Sequence, residues 1–72
     1  MKRRFQLYDV VTVTQDLPAQ GLVQGQVGTI VEQHDADAFE VEFVDNNGST
    51  YALAALQGTQ LMVLHYEPAP AA

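Results

Sequence analysis

Glu40 and Glu42 are two carboxylates that would share one face of a strand, which makes them the nearest approach to a catalytic pair in this chain. Such a pair could divide general-acid and general-base work if a pocket enclosed it. Their setting, Phe39-Glu40-Val41-Glu42-Phe43, gives a plainer purpose. Charges alternating with core residues on the wet face of an edge strand block edge-to-edge aggregation. His34, Asp35 and Asp37 bring imidazole and carboxylate together in one short segment, a donor set suited to a divalent metal. A turn this polar needs no metal to account for its solvated side chains, so no metal is assigned. Asp45, Asn47 and Ser49 stand at alternate positions beside Gly48, like the start of a calcium loop. The glycine falls at the wrong loop position, however, and Leu56 stands where the closing bidentate glutamate belongs.

Gly21, Gly25 and Gly28 form a glycine-rich stretch of the kind whose backbone N–H groups can cradle phosphate. Neither the dinucleotide spacing nor a Gly-Lys-Ser/Thr ending follows, and the stretch opens a strand rather than a helix. These glycines are read, with Asn47 and Gly48, as turn and bulge residues. His65 lies among apolar neighbours and is read as packed or hydrogen-bonded rather than catalytic. The chain has no cysteine, and its Ser and Thr residues lack a matching arrangement of His and acid. The expectation is a non-enzyme with no catalytic residue, no cofactor and no metal.

The charge pattern narrows the partners. Formal net charge is −6, and the three basic residues Lys2, Arg3 and Arg4 all precede Phe5. From Phe5 onward the chain holds nine carboxylates and neither Lys nor Arg. A body with that field repels polyanions and offers nothing to hold phosphate, so nucleic acid is not expected as a partner. It suits a basic protein instead. The three N-terminal cations are read as a solvated tail without a role. Phe5 to Thr14 is interrupted by Gln6, Asp9 and Thr12, so no export signal and no membrane span are read, and the cytoplasm is the expected setting.

The elements that must position these side chains are strands. A sequence of 72 residues with 47% hydrophobic residues supports one small domain, taken as residues 1–66 with a flexible Pro/Ala tail over 67–72. Apolar residues alternate with polar ones over short runs, and no helical stripe is present. The pattern predicts strands at Tyr8 to Thr14, Val27 to Gln33, Ala38 to Val44, Ser49 to Leu53 and Gln60 to Tyr66. A long loop spans Gln15 to Gln26, and Ala54 to Gly58 is a short connection with one 3₁₀ turn. Gly28 is expected to mark a bend or bulge.

Register follows from the turn at Asp45-Asn46-Asn47-Gly48. A three-residue loop with Gly48 at positive φ sets Phe43 opposite Tyr51 and Val41 opposite Leu53, and is preferred to a two-residue loop that pairs Glu42 with Leu53. The fifth strand is apolar on both faces, with Leu61 and Val63 on one and Met62, Leu64 and Tyr66 on the other. One small core cannot bury both faces, so Met62, Leu64 and Tyr66 are expected to meet another chain, as a homodimer or a higher assembly. Five short strands with one long loop describe an all-β fold, a small five-stranded SH3-like barrel.

The run Leu7-Tyr8-Asp9-Val10-Val11, then Asp16-Leu17-Pro18 with Gly21-Leu22, then Gly25 to Glu32, with Tyr51-Ala52-Leu53 and Gln60-Leu61, resembles an uncharacterised bacterial SH3-like family, domain of unknown function four-nine-two-six. The resemblance covers Phe5 to His65, with Ile30 in place of a commoner valine. It implies short stand-alone chains, no catalytic residues and an accessory or antitoxin-like role beside a co-encoded, toxin-like partner. The expected function is a protein-interaction module, self-associating or binding a basic partner through Met62, Leu64, Tyr66, Glu40 and Glu42. The alternative is a nucleic-acid-binding module of the KOW kind, which the glycine-rich start of the second strand is similar to and the acidic body disfavours.

Overall fold

Alternation of apolar and acidic residues makes Ala38–Val44 a strand, β3, with Phe39, Val41 and Phe43 buried and Glu40 and Glu42 on the opposite face. A computed structural model describes residues 5–68, and in it β3 is joined by β1 (Val10–Val13), β2 (Val27–Asp35), β4 (Thr50–Gln57) and β5 (Leu61–Val63). All five strands belong to one antiparallel sheet in the order β4-β3-β2-β1-β5. The fold is all-β, as expected, and the sheet is open: β4 and β5 are its two edges. Lys2, Arg3 and Arg4 and most of the Pro/Ala tail lie outside the described residues.

One face of the sheet carries the core. Val11 and Val13, Ile30, Phe39, Val41 and Phe43, Ala54 and Leu56, and Leu61 are buried together. Phe5 closes one end, its ring 5.2 Å from that of Phe39. The long loop closes another side, where Leu17 and Leu22 are buried and exchange two backbone hydrogen bonds of 2.8 and 3.1 Å. Pro18–Gln20 forms a 3₁₀ turn between them, ended by Gly21 at φ +71°. A second 3₁₀ turn, Gly58–Gln60, joins β4 to β5.

The structure corrects several expectations. Gly28 is no bulge: it pairs with Val11 on one side and Phe43 on the other, where there is no room for a side chain. The irregularities of β2 fall instead at Val31 and His34, each an extra residue against β3, and they add local bend and twist. The first strand starts at Val10, because Tyr8 takes a positive φ of 71° and ends the approach. The segment read as a connection, Ala54 to Gly58, is mostly strand, since Ala54 and Leu56 are needed as core. The fifth strand is only three residues long, so Leu64 and Tyr66 lie beyond it.

The β3–β4 hairpin is half as expected. Asp45 and Ser49 close a loop of Asn46, Asn47 and Gly48, with Gly48 N–H donating to the Asp45 carbonyl at 3.0 Å and Gly48 at φ +82°. Val44 then pairs with Thr50, but the next pair is Phe43 with Ala52. Tyr51 is an extra residue on β4, and it shifts the rest of the strand by one. Phe43 therefore faces Ala52 rather than Tyr51, and Val41 faces Ala54 rather than Leu53. The physical reason is volume. Phe39, Val41 and Phe43 already fill the core from β3, so the small Ala52 and Ala54 fit opposite the last two where Leu53 would crowd them. The Tyr51 ring still meets Phe43, with centroids 6.1 Å apart.

Candidate interaction surface

Residues directly paired in an antiparallel sheet share a face, so the ladder assigns the outer surface row by row. One row runs Leu53, Glu42, Thr29 and Val10 across β4, β3, β2 and β1. A second runs Ala55, Glu40 and Glu32. A third joins Val27, Thr12 and Met62. Leu53 is 60% exposed and Met62 53%, with Val27 and Val44 also open to water. Thr12 is buried among them, its hydroxyl donating to the Gln26 carbonyl at 3.0 Å. The outer face is thus a mixed surface, with uncovered aliphatic side chains at both edges and carboxylates between.

Four of the chain's acids stand on this face: Glu32, Glu40 and Glu42, with Asp35 opposite Ala38. Glu32 and Glu40 are directly opposite each other, an arrangement of like charges that destabilises a strand pair unless a cation intervenes. His34, when protonated, is that cation. As the extra residue of a β2 irregularity it turns toward β3, and its Nε2 lies 2.6 Å from Glu40 Oε1. The hydrogen bond to Glu40 raises the His34 pKa above its ordinary value, loss of some water opposes this, and the fields of Glu32 and Glu40 add to the rise. Glu42 accepts a hydrogen bond from the Thr50 hydroxyl. Between Phe5 and Pro68 there are nine carboxylates and no Lys or Arg to answer them.

The residues singled out from sequence separate into three places. Glu40 and Glu42 share the outer face but belong to an inner strand of the sheet, not to an edge, so guarding an edge is not their purpose. Met62 lies on the same face at the far edge. Leu64 is half-buried, and its N–H donates to the Val10 carbonyl at 2.9 Å; Tyr66 is exposed beyond it. His65 is exposed and not packed, because β5 has already ended. Gly21, Gly25 and Gly48 take positive φ at turns, and Asn47 donates its N–H to Asp45 Oδ1 at 2.8 Å. Asp45 Oδ1 also accepts from Ser49 N–H at 3.0 Å, so the calcium-like trio is a side-chain-stabilised turn.

Among the described residues no three His, Asp or Glu side chains converge as a metal site. His34 is held by Glu40, Asp35 accepts from the Ala36 N–H at 2.8 Å, and the Asp37 carboxylate packs at Gly58. No helix among them is long and apolar enough to cross a membrane. The outward positions of Leu53 and Ala55 were missed by sequence reasoning, since the irregularity at Tyr51 that creates them has no sequence signature.

The sequence pattern of the family described as "Domain of unknown function (DUF4926)" matches residues 7–63, and the chain belongs to that family. No curated protein and no solved structure matches the chain.

Proposed function

We propose that this member of the DUF4926 family is a non-catalytic protein-interaction module that takes a basic protein partner on its outer sheet face. The observation that carries this reading is the composition of that face. Exposed Leu53 and Met62 flank Glu32, Glu40 and Glu42 on a body with no Lys or Arg between Phe5 and Pro68. Apolar surface supplies affinity, and the one-signed field selects and steers a cationic partner. The same field disfavours RNA and DNA. The SH3-like barrel belongs to this proposal as the finer description of the fold. Support comes from the two irregularities that bend β2 and from the 3₁₀ turn that carries the chain from β4 back to β5. A cytoplasmic setting alongside a co-encoded, toxin-like partner completes it.

A second reading, self-association, is favoured by the exposure of Met62 and Tyr66 at and beyond β5. Affinity capture from the native host, with parent and Glu40→Gln/Glu42→Gln baits in parallel, tests the main proposal. The expected result is a basic protein retained by the parent, released by salt and lost with the double variant. Retention of the same protein by both baits, or of nucleic acid by the parent, would refute it.

A further inference from the structure

We infer that the free edge of β4 is a strand-addition site, filled by an extended segment of the basic partner with Lys or Arg at alternate positions. This rests on the reading above and specifies how the partner is held. Thr50–Gln57 reads TYALAALQ, and among the described residues this strand pairs on the β3 side only. Beyond the irregularity at Tyr51, Ala52 to Gln57 pairs without interruption and contains no charge and no proline, two of the devices that stop an edge from accepting another strand. The opposite edge is guarded by brevity, since β5 has three residues.

Chemistry beside the edge selects the occupant. An added strand would lie two strand spacings from β3, about 10 Å. A residue opposite Ala55 would look along the row that holds Glu40 and Glu32, and only a methyl group stands between. A Lys or Arg there can lay its aliphatic stem over Ala55 and bring its charge to Glu40 and toward Glu32. The next outward residue along the added strand falls beside Leu53, behind which stands Glu42. A second copy of this chain fits less well, because its own β4 offers no cation and its body repeats the same negative field. Main-chain hydrogen bonds would supply the hold, and the alternate cations the choice of partner.

The test uses the full chain and a synthetic peptide of alternating Lys and Val with blocked ends, followed by backbone-amide hydrogen exchange. A Glu/Val peptide is the control. Binding of the Lys/Val peptide should slow exchange of β4 amides by about tenfold or more while leaving β5 unchanged. Ala55→Lys puts a cation at the exposed edge without touching the core and should weaken the peptide about tenfold, whereas Met62→Lys at the other edge should change affinity less than about twofold. Three results would overturn the inference. One is a peptide that binds without protecting β4. Another is equal weakening by Ala55→Lys and Met62→Lys. The third is β4 protection that grows with protein concentration in the absence of peptide, which would mean that a second copy fills the edge. In each case a basic protein still captured by the parent would leave the broader function standing; if the parent retains no basic protein, that function falls as well.

Discussion

Gly28→Ala probes the close approach of β2 and β3. An ideal Cβ at position 28 would lie 2.7 Å from Val41 Cγ1, 2.9 Å from the Glu42 carbonyl oxygen and 3.0 Å from Phe43 Cδ2. The first and third contacts are to fully buried side chains, and the second is to backbone held in the β2–β3 ladder, so none yields by swinging a flexible tip. Gly28 does not sit at positive φ, so alanine also brings an entropic advantage from the unfolded chain. Overpacking of about 1–3 kcal/mol, less about 0.4–1 kcal/mol from that advantage, leaves a net loss of about 0–2.6 kcal/mol, centred near 1.3 kcal/mol. At that centre Tm falls by roughly 5–10 °C in a domain of this size. Thermal denaturation followed by circular dichroism reads it directly. A variant that melts at or above the parent temperature would show that β2 and β3 do not approach so closely. A Gly28→Ala/Val41→Ala double variant should be less destabilised than the sum of its singles, because trimming Val41 removes the nearest contact.

Gly48→Val should also lower Tm, because a β-branched residue at φ +82° is strained by about 1–2 kcal/mol even though the space around it is open, and unchanged melting would remove the turn assignment. The pKa of His34 is raised in the fold, chiefly by its hydrogen bond to Glu40, so its contribution to stability is complete below the ordinary value of about 6.5 and is lost as pH rises through the raised value. The Tm difference between parent and His34→Gln should therefore be larger at acid pH than at alkaline pH, and a constant or inverted difference would contradict the pairing. If Met62 and Tyr66 mediate self-association, light scattering should give a mass that rises with concentration above 7.9 kDa, and Met62→Glu should return it to that value with unchanged melting. A parent mass of 7.9 kDa at every concentration would end that reading.

β3 was legible to the residue, because Phe39, Val41 and Phe43 alternate with two glutamates and only a strand buries one set while wetting the other. The hairpin turn was legible for a similar reason: Asn-Asn-Gly admits few backbone paths, and Gly48 supplies the positive φ. What failed was the inference from turn to register. It assumed an unbroken ladder and took the larger side chain, Leu53, as the buried one, whereas packing against Phe43 and Val41 selects Ala52 and Ala54. The fifth strand was overestimated because hydrophobicity does not say where a ladder stops. It stops after the Leu64 N–H bond to Val10, since β1 has run out of residues to pair. The His34–Glu40 contact was hidden for want of any sign that β2 gains an extra residue at His34.

The irregularity at Tyr51 connects that failure to the proposed function. In an unbroken ladder Leu53 would face Val41 in the core, and the alanines on either side of it would stand beside Glu40 and Glu42. Insertion of one residue turns Leu53 outward next to Glu42 and puts Ala55 next to Glu40. The free edge of β4 then offers an aliphatic anchor at one outward position and an open lane to paired carboxylates at the next. An added strand also repeats every two residues, so one extended segment can match both positions at once. The cation partner within the fold, His34, is the weakest base available for the purpose, and as pH rises through its raised pKa it leaves Glu40 and Glu32 facing each other without a positive charge. A Lys or Arg delivered along the edge keeps its charge throughout that range and supplies what the row lacks, so affinity for a basic segment should be greatest on the alkaline side of the His34 transition.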